Sequence, residues 1–460
     1  MAGRDQVGAE GLKVAIGLPS AVMLVVGGIV GVGVFVNPAI VARSLHSPWL
    51  VEAAWGAGGI IAILGAIVYA ELAARIPATG GDYAYLRETY GPLAAFLVGW
   101  TLLLVVQTGG MAAVSIVFSK NLNVLSGGAR DERWIIVILL SVLAGVNVVG
   151  VSAGNGVQTI LGAIKIAMIA ALILAGLLLV PAAHVASDVA SAQAETPTGA
   201  MASLKAFGAA MIPVVFSYGG WQTANFVAGE MKDARRNMAR ALVTGVLIVI
   251  ALYMLVTLAC VRALGVGTLS HTLTPASDVL GLAIGPAGAM VAAAAVGVSA
   301  LGYLSQSMLT APRVYFAMAR DGLFFRGVGE VSARTRAPAL AILLQAIWTG
   351  VLALSGKYEQ ILSYVIAMNF LFFGLSASAI FVLRARERRS GIAAPAGFRA
   401  PGHPWTTGAF IVACILVICA TFWSYPVDSL IGYGLMGLGI PPYLYWRRAG
   451  RRAAGARLRE

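Results

Sequence analysis

Gly27-Gly28-Ile29-Val30-Gly31-Val32-Gly33-Val34-Phe35 places four glycines in nine residues, inside the first long apolar segment of the chain. Glycine lowers the stability of a helix by roughly 1 kcal/mol per residue relative to alanine. Such a cluster in a membrane helix therefore predicts that the backbone opens. An opened backbone exposes N–H and C=O groups that lipid cannot satisfy, whereas a polar ligand can.

A second interruption, Phe216-Ser217-Tyr218-Gly219-Gly220-Trp221-Gln222, occurs at a similar place in the other half of the chain. Paired breaks, one in each half, are the best sequence indication of a binding site in a secondary transporter. The alternative is that Gly27 and Gly31, four residues apart, only allow close helix packing. The presence of a second break favours the binding site.

The composition is that of a polytopic membrane protein. Of the 460 residues, 59% are hydrophobic and 11% are charged, and the mean hydropathy is +0.86. A soluble domain carries about 25% charged residues. Twelve apolar segments are each long enough to cross a bilayer. They run over residues 16–42, 50–76, 92–120, 134–151, 155–181, 204–230, 238–262, 287–319, 337–355, 358–384, 405–424 and 428–446.

The basic residues predict the orientation of the chain. With both termini inside the cell, 24 of the 32 Lys and Arg residues lie on the inner side and seven on the outer side. Cytoplasmic loops carry such an excess of Lys and Arg. We therefore expect a multi-pass protein of the cell (inner) membrane with cytoplasmic N- and C-termini. Because these loops and the tail account for the net charge of +13, we expect no nucleic-acid partner.

Lys165 is the only Lys or Arg well inside a predicted span. A charge at mid-membrane costs about 2.5–3.5 kcal/mol on insertion scales, so such a residue is a functional candidate. Its ammonium group can stand where other transporters hold a sodium ion, beside the broken first helix, or it can release a proton during transport. The alternative is a lysine that snorkels to the interface.

Aromatic and hydroxyl side chains near the second break are further candidates. Phe216 directly precedes the glycines and is placed to close over a substrate, and Trp221 can line the same cavity. Ser305 and Ser307 are polar enough to face the bundle interior. Each has a simpler alternative, because aromatic residues in apolar helices usually pack or mark an interface, and serine usually bonds its own helix backbone.

Enzyme motifs in the chain lack the context they need. Residues 150–154 match G-x-S-x-G, which requires a strand-to-helix turn and a nearby histidine, yet they fall between two apolar segments and the four histidines are scattered in loops. There is no dinucleotide fingerprint, nucleotide-binding P-loop, HExxH or CxxC. We expect no enzymatic activity, no cofactor and no metal site.

Carboxylates lie only near the ends of the predicted spans. Glu71 and Glu230 fall near inner ends, where we expect them to pair with arginines of the inner loops. A site without a buried carboxylate has no partner for a cationic side chain. This favours neutral substrates.

Several motifs resemble those of the amino acid–polyamine–organocation (APC) permeases, and in particular their L-type amino acid transporter branch. Residues 28–38 resemble the first-helix signature, and residues 71–85 resemble the inner loop after the second helix. Residues 216–241 are similar to the sixth helix and its following loop, and residues 313–322 to the end of the eighth helix. The resemblance covers about residues 15–445.

The resemblance implies an all-α polytopic fold with 12 transmembrane helices. Two inverted five-helix repeats form the transport core, helices 1 and 6 are discontinuous, and two C-terminal helices follow. The expected boundaries are a cytoplasmic N-terminus at 1–15, a transport core at 16–384 with repeats at 16–181 and 204–384, helices 11–12 at 405–446, and a basic cytoplasmic tail at 447–460.

The resemblance also implies how a substrate is held. Its α-carboxylate meets the backbone of Gly31 to Gly33, and its α-amino group meets carbonyls near Ile29 and from Phe216 to Gly219. Phe216 is the aromatic gate by the same analogy. The substrate-binding residues expected are Ile29, Gly31, Val32, Gly33, Phe216, Ser217, Gly219 and Trp221, with Ser305 and Ser307 as possible polar lining.

Lys165 has the coupling role in this comparison, since it matches the fifth-helix lysine of family members that lack a bound sodium ion. Sodium dependence is therefore not expected. Val32 departs from the Ser or Ala often found at its position, which removes a hydroxyl but keeps a backbone donor. In animal L-type members a cysteine after the third helix tethers a heavy chain; the loop 121–133 has none, so we expect no disulfide-linked heavy chain.

The function expected is that of a secondary active transporter for L-amino acids, with neutral substrates. It works by alternating access, either as an exchanger or with proton coupling, and the residues leave that choice open. The alternative is a carrier of cationic amino acids or polyamines with the same fold. A channel would need a continuous polar pore, against which the scarcity of intramembrane charge argues.

Overall fold

The computed structural model describes residues 14–126, 130–149, 151–181, 199–332, 335, 337–355, 358–390 and 397–457, and all regular elements in these ranges are helices. Most of the expected N-terminal segment, at 1–13, lies outside the described residues. The α-helices are α1 (Leu18–Ile29), α2 (Gly33–Leu45), α3 (Pro48–Arg75), α4 (Asp82–Tyr90), α5 (Pro92–Thr101), α6 (Gln107–Leu125), α7 (Glu132–Val149), α8 (Val151–Leu174), α9 (Ala200–Tyr218), α10 (Ala234–His271), α11 (Pro275–Ile284), α12 (Pro286–Thr310), α13 (Pro312–Arg320), α14 (Ala339–Ser355), α15 (Tyr358–Ser390), α16 (Trp405–Ser424), α17 (Pro426–Gly437) and α18 (Ile440–Arg457).

Shorter helices of other types complete the chain. A π-helix at Leu102–Val106 joins α5 to α6, and another at Ala175–Leu179 extends α8. Two 3-10 helices follow, at Trp221–Glu230 and Arg326–Gly329. The first of these continues the line of α9 beyond the predicted break.

The membrane spans follow the sequence prediction closely. Ten stretches of the described residues are long and apolar enough to cross a bilayer, and they correspond to predicted segments one to eight, ten and eleven. The ninth predicted segment is the shorter apolar helix α14. The twelfth is divided into α17 and α18, because Gly437 and Gly439 weaken the helix and Pro441 and Pro442 cannot donate backbone hydrogen bonds. The all-α polytopic fold is confirmed.

Proline marks where several of these helices begin. Helices α3, α5, α11, α12, α13 and α17 each start at a proline, whose missing N–H has no partner in a first turn anyway. Gly91 and Gly285 precede two of these prolines with φ values of 88° and 73°, which glycine adopts without strain. Each Gly-Pro pair ends one helix and begins the next in a short turn.

The breaks predicted in helices 1 and 6 are confirmed. The first span consists of α1 and α2, separated at residues 30–32, and the sixth consists of α9 and the 3-10 helix Trp221–Glu230. Helix α1 packs on α8, α10 and α12, and α2 packs on α9 and α10. The two breaks therefore lie inside the bundle, surrounded by other helices.

Buried ion pairs hold one end of the bundle, which we call the arginine-rich end. Glu71 of α3 is fully buried and accepts hydrogen bonds from Arg384 at 2.7 and 2.9 Å and from Arg75 at 2.8 Å. Glu230 accepts a hydrogen bond from the buried Arg313 at 2.7 Å. The predicted pairing of both carboxylates with arginines is confirmed. Removing one partner of a buried pair costs about 3–5 kcal/mol, because the other charge stays buried and unpaired.

Asp82, the first residue of α4, connects this short helix to two membrane helices. Its carboxylate accepts hydrogen bonds from the hydroxyls of Tyr69 on α3 and Ser376 on α15, the latter at 2.7 Å. Asp82 is buried, and no cation pairs with it among the described residues. Burial disfavours the charged carboxylate and raises the pKa of Asp82 to about 6.

This raised pKa predicts a pH-dependent stability. The folded protein binds the Asp82 proton more tightly than the unfolded chain, so this contribution to stability is lost as the pH rises through about 6. We expect the thermal unfolding midpoint in detergent to rise between pH 8 and pH 5 in the wild type, and to rise less in Asp82→Asn, which keeps an oxygen acceptor for Tyr69 and Ser376. Glu88→Gln, a change to an exposed residue of the same helix, is the control. An equal pH slope in Asp82→Asn and the wild type would show that Asp82 does not carry the effect.

Candidate substrate site

The first break leaves a short extended segment between two helices. Helix α1 ends at Ile29, Val30 is extended with φ −69° and ψ 92°, and α2 begins at Gly33. The first N–H groups of a helix have no intrahelical acceptor, and α2 therefore begins with free donors at Val32 and Gly33. The N-terminus of a helix also carries a partial positive charge. This arrangement suits an anionic group such as a carboxylate.

Side chains from three other helices satisfy the carbonyl groups of this break. Lys165 of α8 donates to the oxygens of Val30 at 2.5 Å and of Gly27 at 3.2 Å. Tyr253 of α10 donates to the oxygen of Ile29 at 3.1 Å. Ser299 of α12 donates to the oxygen of Gly31 at 2.9 Å. The open backbone is stable in an apolar bundle because the protein itself provides these donors.

Lys165 is fully enclosed at this position. Its side chain is 1% exposed and passes Gly302 of α12, where a Cβ atom would lie 2.3 Å from its Cε. The prediction that it connects the broken first helix to its neighbours matches this geometry, and the snorkelling alternative does not. Gln158, two turns earlier on α8, is also buried and lies against Gly27. Helices α8 and α1 therefore meet through polar groups at two levels.

The second break is formed by two glycines. Helix α9 ends at Tyr218, Gly219 is extended, and Gly220 has φ 108°, a value that favours glycine. The side chain of Gln222 accepts the N–H of Gly220 at 3.0 Å, and Thr223 donates to the Gly220 oxygen at 2.6 Å. The last carbonyls of α9 are left at the negative end of the helix dipole, where an ammonium group is favoured.

The two breaks touch each other through their backbones. A Cβ atom at Gly220 would lie 2.0 Å from the carbonyl oxygen of Gly28, and one at Gly28 would lie 2.8 Å from the oxygen of Gly220. Real Cβ atoms are not found this close to a backbone oxygen. Glycine is therefore required at both positions by contact between the two broken helices. Of the two glycines named in the packing alternative, Gly27 packs closely, since a Cβ atom there would lie 1.9 Å from Nε2 of Gln158, whereas one at Gly31 would meet nothing nearer than 3.9 Å.

A second close contact joins α2 to α9. A Cβ atom at Gly33 would lie 2.8 Å from the hydroxyl of Ser217. The Asn37 amide donates to that hydroxyl at 2.7 Å and to the oxygen of Pro213 at 3.0 Å. This link places the N-terminus of α2 next to the C-terminus of α9. Donors and acceptors for the two ends of a zwitterion are thus brought together.

A small cavity of about 60 Å³ lies between the breaks. The first break contributes Ile29, Gly31, Val32 and Gly33 to its wall, and the second contributes Phe216, Ser217, Gly219 and Gly220. Helices α6, α12 and α15 close the remaining sides. The other residues that line the cavity are Val106, Gln107, Val114, Val215, Gln222, Thr223, Tyr303, Val365, Ile366, Asn369 and Phe370.

Three predicted site residues lie away from this cavity. Trp221 points into an aromatic cluster, where the centroid of its ring lies 4.9 Å from that of Tyr69 and 5.2 Å from that of Phe373. Ser305 and Ser307 are fully buried in α12 and are not part of the cavity wall. Ser305 lies about 200° around α12 from Tyr303, which borders the cavity, whereas Ser307 lies one turn further along the same face as Tyr303. A role for these three residues in the site stays a prediction.

The sequence reasoning missed several residues of the site. Tyr253 and Ser299 carry no signal in the sequence, because their role depends on which backbone groups they meet. Gln107 follows directly on a π-helix, an element that often occurs at functional sites. Its Nε2 is buried without an acceptor among the described residues. An uncharged amide inside an apolar segment was the signal that could have identified it.

These features define a class of protein: a secondary transporter with two discontinuous membrane helices that meet inside the bundle. Comparison with known proteins identifies the family. The profile of the amino acid permease family matches residues 16–443, and the chain belongs to this family. The family belongs to the APC superfamily, which confirms the resemblance seen in the sequence.

Individual relatives are amino acid transporters of the L-type branch. The serine/threonine exchanger SteT of Bacillus subtilis (strain 168) is 30% identical over 94% of this chain and 97% of its own length. The large neutral amino acids transporter small subunit 2 of Homo sapiens is 28% identical over 96% of this chain and 82% of its own length. The human b(0,+)-type amino acid transporter 1 is 27% identical over 81% of this chain and 76% of its own length. The chain is therefore an amino acid permease of the membrane and not an enzyme.

Replacing Lys165 tests the support of the first break. Lys165→Ala leaves the oxygens of Gly27 and Val30 buried without their donor, at about 1–3 kcal/mol per group. We expect a loss of at least about tenfold in amino acid uptake by proteoliposomes, with expression near that of the wild type. Lys205→Ala, which removes an exposed lysine from α9, should transport normally. Wild-type uptake by Lys165→Ala at equal protein would remove the proposed role of this residue.

Proposed function

We propose that this permease carries small neutral L-amino acids by alternating access and that it works as an exchanger. The observation that carries the proposal is the cavity between the two breaks. It offers backbone donors on one side and backbone acceptors on the other, and none of its described lining residues is Asp, Glu, Lys, Arg or His. Such a site recognises a zwitterion through its two common ends.

The backbone assigns a role to each end of the substrate. In the proposal, the N–H groups of Val32 and Gly33 at the start of α2 bind the α-carboxylate. The N–H of Gly31 lies beside the Tyr253 hydroxyl, so it is the least available of the three expected donors. The last carbonyls of α9, from Phe216 onwards, bind the α-ammonium group. Phe216 borders the cavity and is half-buried, which suits the proposed gate.

The remaining wall determines the side chain that fits. Val32, Ile366 and Phe370 are apolar, and the volume of about 60 Å³ leaves little room beyond a small substrate. Gln107, Asn369 and Tyr303 add uncharged polar groups. The unpartnered Nε2 of Gln107 can donate to a hydroxyl on the substrate. Serine, threonine and alanine meet these conditions best.

Exchange is proposed because a relative with 30% identity over nearly the whole chain is a serine/threonine exchanger. Lys165 supports a sodium-independent cycle, since its ammonium group already binds the carbonyls of the first break. Proton coupling is the competing mode. A carrier of cationic amino acids is the competing substrate class, and the similarity to b(0,+)-type transporters is the observation in its favour.

The orientation and assembly of the protein are also proposed. In the proposal, the arginine-rich end and both termini lie on the cytoplasmic side of the cell membrane, because cytoplasmic loops carry an excess of Lys and Arg. The inverted repeats at 16–181 and 204–384 are retained as the transport core, because each contains one of the two breaks. With no cysteine in the loop 121–133, the permease is proposed to act without a disulfide-linked heavy chain.

Uptake by proteoliposomes tests substrate and mode together. With L-serine inside the vesicles, uptake of labelled L-serine should be saturable, stimulated several-fold over empty vesicles, and inhibited by threonine and alanine but not by arginine or putrescine. Stronger inhibition by arginine or putrescine would contradict a neutral substrate. Accumulation of labelled L-serine in empty vesicles under an inward proton gradient would indicate proton coupling instead of exchange.

A further inference from the structure

A cleft at the arginine-rich end shares no lining residue with the substrate cavity and has no assigned role. It has a volume of about 660 Å³ and is formed by the beginning of α10 and by Gly397 and Phe398. Arg235, Arg236 and Arg240 line it. The predicted seventh span begins only at residue 238, whereas α10 begins at Ala234, so Arg235 and Arg236 lie on the helix together with Arg240.

Among the described residues, the positive charge of this cleft is not balanced by carboxylates. Arg235, Arg236 and Arg240 are exposed, and within the described residues none of them forms a side-chain hydrogen bond or an ion pair. Arg313 and Arg384 at the same end are both paired with carboxylates. The described lining of the cleft contains one carboxylate, Asp233, against three guanidinium groups. This part of the cleft therefore carries a net positive charge that can attract an anion.

The cleft opens onto a surface of α10 that faces away from the bundle. Val243 and Thr244 form its upper wall, and the exposed side chains of Leu247, Leu255 and Leu258 continue the same face along the helix, 52%, 40% and 44% exposed. At about 1.5 Å per residue, the stripe from Val243 to Leu258 extends about 22 Å. This exceeds the depth of one leaflet, about half of a 30 Å hydrocarbon core.

We propose that this cleft binds the headgroup of an anionic phospholipid of the inner leaflet. The phosphate lies among Arg235, Arg236 and Arg240, since guanidinium groups bind phosphate oxygens in pairs. Phe398 and Val243 cover the glycerol region, and the acyl chains follow the stripe Leu247 to Leu258. A soluble phosphate compound would use the arginines but not the stripe, and the continuity of the two favours a lipid. The lipid bridges α10 and the segment before α16.

Charge variants of opposite sign test the proposal. Arg236→Gln with Arg240→Gln removes two positive charges from the cleft. Asp233→Asn removes its negative charge, and asparagine tolerates the left-handed backbone at this position, where φ is 46°. Arg447→Gln with Arg448→Gln removes two exposed charges from the C-terminal helix, outside the cleft, and is the matched control.

The measurement is lipid binding by the purified full-length protein, followed by native mass spectrometry and by thermal unfolding with added dioleoyl phosphatidylglycerol or phosphatidylcholine. Phosphatidylglycerol should bind to the wild type and the control and raise their unfolding midpoints. Its binding and the rise in midpoint should be several-fold smaller in the Arg236/Arg240 variant and larger in Asp233→Asn. Phosphatidylcholine should have little effect on any of them.

Each other outcome overturns the proposal. Equal binding of phosphatidylglycerol by the wild type and the Arg236/Arg240 variant would show that the cleft is not the site. An equal loss in the control would indicate general surface attraction. Equal stabilisation by millimolar inorganic phosphate would assign a soluble anion instead. If the double variant does not fold, weaker or unchanged binding in Asp233→Asn contradicts the proposal by itself. None of these readouts depends on the transported substrate.

Discussion

The contact between the last turn of α1, at Gly28, and the unwound backbone at Gly220 holds the two broken helices together. A side chain at either position would collide with a carbonyl oxygen of the other. Glycine at both positions allows the two backbones to approach this closely inside the membrane. The approach places the start of α2 beside the end of α9, and so determines where free backbone donors and acceptors face the cavity.

Opening a helix in an apolar environment creates polar groups that must be satisfied. At the first break this is achieved by Lys165, Tyr253 and Ser299, which come from α8, α10 and α12. At the second break the side chains of Gln222 and Thr223, which directly follow the glycines, bond the N–H and the carbonyl oxygen of Gly220. In the proposed transport cycle, a movement of α1 relative to α8 has to break or carry along the Lys165 hydrogen bonds. This makes the lysine a natural point of coupling between the bundle and the site.

The sequence predicted the parts of this arrangement that depend on backbone chemistry and overall charge. Glycine clusters indicated both breaks, an isolated lysine indicated the support of the first, and carboxylates at span ends indicated the ion pairs of Glu71 and Glu230. The resemblance to a known family added the site residues that border the cavity. These signals are visible because glycine and charge are costly in a membrane helix and are rare without a reason.

Side-chain direction could not be predicted in the same way. Trp221 was expected in the cavity and lies in an aromatic cluster, and Ser305 was expected near it although it lies on a different face of α12 from Tyr303, which borders the cavity. A rotation of one residue turns a side chain by about 100° around a helix. Tyr253 and Ser299 were missed because neither residue type nor spacing reveals which carbonyl a hydroxyl will meet.

In the proposed site, main-chain groups of the two breaks bind the carboxylate and the ammonium group of one amino acid. Displacement of labelled L-serine from the purified protein by L-alanine, L-alaninamide and propionate tests it most directly. Losing one charge-assisted hydrogen-bonding end removes about 1.5–3 kcal/mol. We expect L-alanine to displace serine and each analogue to be weaker by at least about tenfold. Displacement by either analogue as efficient as by L-alanine would contradict it.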